Sequence, residues 1–322
     1  MRRIRTLFAI LPALMAFVLL VLYPAEASRG AVRGLTVCTG VIIPALFPFF
    51  VLSKVLMSMG LPTKLGAILA PLGKRLFGIS GEGVTAFVFS LCGGYPLGAS
   101  VTAEMYRSAR IGKKEAERML GFCNNCGPAF IIGAIGGGVF HSPTIGIMLW
   151  GIHALTAVLI GFLSSVGKQQ NSPLVNTNPP HPLSFSRAFS EGVKSSVTTI
   201  LTVCGFVVFF SVITSLLEQL GLFPAFAGRL AAHFPIGLTA AQSLLWGLLE
   251  MGGGIASMEG LSPTPQSLAL AAFITGWGGL SVHFQTAAVL GDAGLSAIKH
   301  TVGRILQGCL SAGMAYLAGM LI

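Results

Sequence analysis

The chain alternates long apolar stretches with short polar ones. Leu7 to Tyr23 is the first apolar run, and Leu35 to Lys54, carrying Pro44 and Pro48, is the second. Thr144 to Val166, Thr198 to Leu220 and Ser296 to Ile322 are others. Such runs, roughly 17 to 25 residues with few charges, have the length that crosses about 30 Å of hydrocarbon. Two shorter pieces, Pro62 to Phe77 and Phe223 to Phe234, mix basic and apolar residues and predict amphipathic helices lying in the interface.

Four apolar segments are interrupted. Gly83 to Gly98 is too short and too rich in Gly and Pro for a good span and predicts a re-entrant hairpin. Met119 to Phe140 is broken at Asn124-Asn-Cys-Gly-Pro128 and predicts a discontinuous helix. Thr239 to Glu259 is broken between Glu250 and Glu259, and Pro265 to Val289 between Thr275 and Ser281. The order of elements in the first half returns in the second, an internal repeat of roughly 130 residues of the kind transporters carry. The expected architecture is an all-α polytopic membrane protein with two repeats, each holding a hairpin and a discontinuous helix. Its parts are an N-terminal span (1–34), a first repeat (35–167), a polar Pro-rich linker (168–194) and a second repeat (195–322).

Composition fits this pattern. Only 9% of the 322 residues are charged, 53% are hydrophobic, and mean hydropathy is +0.82. A soluble domain is about 25% charged, so too little charge is present to clothe a water-facing surface. The net charge of +10 resides in clusters between apolar stretches rather than on a basic face, which argues against nucleic acid as a partner. Arg2, Arg3 and Arg5 ahead of an apolar run resemble a signal peptide, but the run is long for that role and reads as an uncleaved span. With the N-terminus inside, the basic residues from Lys54 to Arg118 fall in the cytoplasm, as do Lys168, Arg187, Lys194, Lys299 and Arg304. Arg29, Arg33 and Arg229 are left outside. This assignment predicts that the repeats are inverted, with about seven crossings and two hairpins.

Broken helices expose amide N–H groups at one half-helix start and carbonyls at the other half-helix end, so anions suit the first and cations the second. The candidate substrate site is therefore built from the breaks. Gly93, Gly94, Tyr95, Pro96 and Gly98 form the hairpin tip, and Asn124, Asn125, Gly127 and Pro128 the first helix break. The two Asn amides either cap the broken helix or bind ligand. In the second repeat Glu250 precedes Gly252, Gly253 and Gly254, and a carboxylate within a span is a candidate for a coupling-ion site or a substrate contact. Glu259 is placed to reach the interface. Gly278, Ser281, His283 and Gln285 complete the set, His283 being either a structural hydrogen-bond partner or a proton relay. The other histidines receive no role. The six cysteines lie mostly in apolar segments and read as small buried hydrophobes; Cys123 and Cys126 have the spacing of a metal pair, but no second pair completes a site. No nucleophile with its base, no phosphate loop and no paired catalytic carboxylates occur, so no enzyme, metal or cofactor is expected.

Three stretches carry a resemblance: Cys92-Gly-Gly-Tyr-Pro-Leu-Gly-Ala99, Lys113-Lys-Glu-Ala-Glu-Arg118 and Phe122-Cys-Asn-Asn-Cys-Gly-Pro-Ala-Phe-Ile-Ile-Gly-Ala134. They resemble the sporulation integral membrane protein YlbJ family, which carries the nucleoside recognition or Gate domain, and the likeness is looser in the second half. The resemblance implies a multi-pass protein of the cell membrane, in a sporulating cell a forespore membrane, and a transporter of dipicolinate, the small dianion stored in spores. The domain's similarity to concentrative nucleoside transporters makes nucleoside transport the first alternative, although their nucleoside-contacting residues have no clear copy here. A non-transporting scaffold needed for sporulation is the second. The expected partners are the lipid bilayer, a small-molecule substrate and a coupling ion (proton or sodium); a homo-oligomer is compatible with the sequence.

Overall fold

The computed structural model describes residues 2–166 and 182–322, with side chains from residue 10 onward. Lys168, His181 and most of the linker before Pro182 lie outside the described residues. Within them every regular element is helical. In chain order these are α1 (Arg2–Leu22), α2 (Pro24–Ser58), α3 (Leu61–Phe77), α4 (Gly81–Gly93), α5 (Leu97–Arg107), α6 (Lys113–Met119), α7 (Ala129–Val139) and α8 (Pro143–Ser165). After the linker come α9 (Phe185–Gln219), α10 (Leu222–His233), α11 (Leu238–Leu249), α12 (Met251–Ala256), α13 (Pro265–Trp277), α14 (Gly279–Gly291) and α15 (Ile298–Gly319).

Four stretches among the described residues are long and apolar enough to cross a membrane: α2, α8, α9 and the α13–α14 pair, Pro265–Gly291. The pair α3 and α4, bent by 85°, brings the count to five if it is one span. The sequence-based count of about seven includes α1, described with side chains only from Ile10, and α15, which is too polar to qualify by composition. The polarity of α15 points inward. His300, Arg304, Gln307 and Ser311 are fully buried, while Val302, Ile305, Leu306 and Leu317 are exposed. That is the reverse of a soluble amphipathic helix and suits a bundle whose solvent is lipid.

Both hairpins form. In the first, α5 folds back on α4 so that Gly98 lies against Ser90. The second turns at Glu250, with Gly254 against Gly247 and the Ser257 hydroxyl 2.9 Å from that of Ser243. The glycines at 252–254 are helical rather than the break itself. They are needed because α12 packs on α11 so closely that a Cβ at Gly254 would strike the Gly247 backbone. α13 and α14 keep one direction through a break at Gly278 and Gly279, whose φ angles of 82° and 78° lie in the left-handed region that favours glycine. α9 begins at Phe185, inside the stretch read as linker, and Arg187 and Glu191 pair one turn apart at 2.9 Å on its exposed start. α9 packs along α2, and α15 along α13 and α8.

The charge asymmetry makes a testable topology. In a cysteine-free background, single cysteines near Lys113 are expected to be shielded from an impermeant thiol reagent in intact cells. Those near His141 and Arg229 are expected to react, and all three positions are exposed on the protein. Reaction near Lys113 from outside would reverse the assignment.

Candidate functional site

The four breaks come together. Gly94, at the first hairpin tip, lies against Gly127 of the first helix break, and Gly279 lies against Met251 and Leu249 at the second hairpin tip. The Tyr95 hydroxyl ties the halves by donating to the Thr275 carbonyl at 2.9 Å, and the Trp277 indole donates to the Leu248 carbonyl at 3.1 Å. Between them lies a narrow cavity with about 40 Å³ open to the centre of a water molecule. Its walls include Gly94, Tyr95, Gly127, Glu250, Gly252 and Gln285 from the sequence-derived set. Apolar walls come from α2 (Val41, Ile42, Ala45, Leu46) and α9 (Val203, Val207), two helices that sequence reasoning did not connect with the site.

Glu250 is 4% exposed. It caps α12: its carboxylate oxygens accept from the Gly252 N–H at 2.8 Å and the Gly253 N–H at 2.5 Å. Glu259 is exposed. Gln285 donates to Ser281 at 3.0 Å, one turn back on α14. The other expected site residues stand behind the cavity wall. Gly93, Pro96 and Gly98 belong to the hairpin body, Pro128 opens α7, Gly253 and Gly254 face α11, and Gly278 lies beside the Tyr95 ring. His283 lies tilted against the Trp277 ring and edge-on to His300, with ring centroids 4.1 Å and 5.0 Å away.

Asn124 and Asn125 are fully buried and fully engaged with protein. Asn124 Oδ1 accepts the Ala99 N–H at 3.3 Å, and its Nδ2 donates to Thr286 at 3.0 Å and faces His300 Nε2 at 3.1 Å, where an amide N–H can only donate. His300 therefore accepts on Nε2. Asn125 donates to Ser90 at 3.0 Å and to the Phe122 carbonyl at 2.7 Å, and accepts from Gln307 at 3.2 Å. His153, on α8, holds the same loop by accepting the Cys126 N–H at 3.0 Å. In this arrangement the two amides fix the break, and their backbone neighbours Cys126 and Gly127 reach the cavity.

Sequence reasoning missed the face of α15 that supports this loop. His300, Arg304, Gln307 and Ser311 recur at helical spacing along one stripe, opposite Asn124, Tyr95, Asn125 and Thr156. The signal was in the sequence: four polar residues at intervals of four, three and four in an apolar run. Arg304 in particular is not a loop charge. It is buried two turns into α15, where Nη1 donates to the Tyr95 hydroxyl at 3.0 Å and Nη2 to the Gly121 carbonyl at 3.3 Å.

Apolar helices facing outward around polar, helix-broken elements define a multi-pass integral membrane protein. The chain is similar to the sporulation integral membrane protein YlbJ of Bacillus subtilis (strain 168), at 29% identity over 314 residues that cover 90% of this chain and 77% of that protein. This similarity supports the YlbJ family and a membrane role in sporulation; the relative is named as an integral membrane protein and not as an enzyme. No family model matches the chain, and no solved structure matches it.

Proposed function

We propose that this chain is a secondary transporter, or a facilitator, of a small polar metabolite, that dipicolinate is its leading substrate, and that it works in a forespore membrane. The observation that carries the proposal is the convergence of four helix breaks, two from each half of the chain, three of which line one narrow cavity while the fourth packs behind it. Breaks at depth leave backbone groups free to meet a polar ligand, and a lipid-exposed chain tolerates them only where protein or a wet cavity surrounds them. Transporters built from inverted repeats place substrate at such a junction. A scaffold has no use for the convergence.

In this structure the cavity is narrow. Space of about 40 Å³ for water centres admits a few waters, not a ring bearing two carboxylates. Loading then means separating the hairpin tips from the breaks they rest on. Gly94, Gly278 and Gly279, all at positive φ, are the backbone joints at these contacts.

A ligand that binds the folded state stabilises it by RT ln(1 + [L]/Kd), about 2.7 kcal/mol at a hundredfold excess over Kd. Dipicolinate is expected to raise the unfolding temperature of the detergent-purified protein by several degrees, and uridine to leave it unchanged. Stabilisation by uridine alone would move the assignment to nucleosides.

A further inference from the structure

Arg304 is the largest fully buried side chain among the described residues, and none of those residues places a carboxylate within ion-pair distance of it. Its two acceptors, the Tyr95 hydroxyl and the Gly121 carbonyl, are neutral, and its Nε has no partner. The imidazoles nearby do not supply a countercharge: His300 and His153 each accept a hydrogen bond on Nε2. Glu250, the carboxylate in the cavity wall, is engaged by the α12 amides instead. A guanidinium buried without a negative partner is expensive, and within a membrane such a group is a functional hypothesis by default.

The geometry says which function. Tyr95 lines the cavity, and its hydroxyl rests on Arg304, whose guanidinium carbon is 5.9 Å from the ring centroid. A single aromatic ring therefore separates the uncompensated charge from the cavity. The planar guanidinium fork matches a carboxylate in two parallel hydrogen bonds, whereas a phenol satisfies only one of its arms.

We propose that Arg304 is the residue that selects a carboxylate anion as substrate. Tyr95 is its placeholder: on loading, the phenol leaves Nη1 and the substrate carboxylate takes the guanidinium. The inference deepens the transport reading and rests on it. It adds the residue that recognises the substrate's carboxylate.

The test is equilibrium binding to the purified full chain of four probes: dipicolinate, its uncharged diamide, benzene-1,3-dicarboxylate and uridine. The wild type is expected to bind the dicarboxylates and not the diamide. Arg304→Gln, shown to be folded by size exclusion and thermal melting, is expected to bind the dicarboxylates about a hundredfold more weakly, the loss typical of a buried charge-assisted pair. Tyr95→Phe, which frees the guanidinium, is expected to bind dicarboxylates at least as tightly as wild type. If Arg304→Gln does not fold, Arg304→Lys serves: it keeps the charge, loses the fork, and is expected to weaken dicarboxylate binding about tenfold.

Unchanged dicarboxylate binding in Arg304→Gln, or in Arg304→Lys where that variant stands in, overturns the assignment and leaves the transport reading intact. Arg304-dependent binding of dicarboxylates by a protein that moves none of them removes the transport reading and keeps the recognition site. Uridine binding with no carboxylate binding overturns the Arg304 assignment and moves the transport reading from dipicolinate to nucleosides.

Discussion

Glu250→Gln is expected to leave the protein inserted and near wild-type abundance, to keep dipicolinate binding, and to abolish accumulation against a gradient. The glutamine oxygen still accepts one of the two α12 amides, while the other is left facing the glutamine NH2, so the loss of cap is about 1–3 kcal/mol. What disappears is the one carboxylate that the described residues place in the cavity wall. If that carboxylate holds the coupling cation, binding survives and concentrative uptake does not. For an anionic substrate, removing a unit charge at a separation of about 7 Å in an effective dielectric near 20 favours binding by about 2 kcal/mol. Weakened dipicolinate binding in a folded Glu250→Gln protein would count against a dianion and for a ligand with hydroxyl or amino groups. A sharp fall in abundance would mean that Glu250 only caps α12.

The two outcomes depend on how the site is assembled, and part of that assembly was legible in the sequence. Gly94, Pro96, Gly127 and Gly278 mark three breaks because a membrane helix tolerates such clusters only for a reason. Glu250 marks the fourth, since an apolar run rarely buries a carboxylate. The partners of these breaks were not legible, because they come from helices distant in sequence. Val41 and Val203 are ordinary span residues until α2 and α9 are seen to wall the cavity. Arg304 was misread for a definite reason: near the start of a span, a basic residue counts as a loop charge under the positive-inside rule, and only its position on the stripe with His300 and Gln307 shows that it points into the bundle. The glycines at 252–254 were read as a break when their role is close packing. Composition cannot separate a glycine that bends a helix from one that lets another backbone approach.

Gly98 provides the second large effect, through that same close packing. Any Cβ at this position would collide with the Cys123 carbonyl oxygen and crowd the Ser90 hydroxyl. The carbonyl belongs to the backbone just before Asn124, so the clash has no flexible side chain to absorb it. Overpacking of this kind costs about 1–3 kcal/mol and sometimes more, and Gly98→Ala is expected at or above the upper end. Abundance in the membrane should fall several-fold, with the remaining protein melting at a lower temperature. Gly205→Ala is the matched control. Its Cβ meets nothing within 4 Å, and alanine in a helix interior gains up to about 1 kcal/mol over glycine. Equal abundance of the two variants would show that the first hairpin does not pack against the 121–128 loop as described.

Transport itself is tested by reconstituting the purified chain into sealed vesicles and following labelled dipicolinate and labelled uridine in parallel, with empty vesicles as reference. The account predicts saturable, protein-dependent entry of dipicolinate, competed by unlabelled dipicolinate and not by uridine. Entry of uridine without dipicolinate, or no entry of either into vesicles holding folded protein, would contradict it.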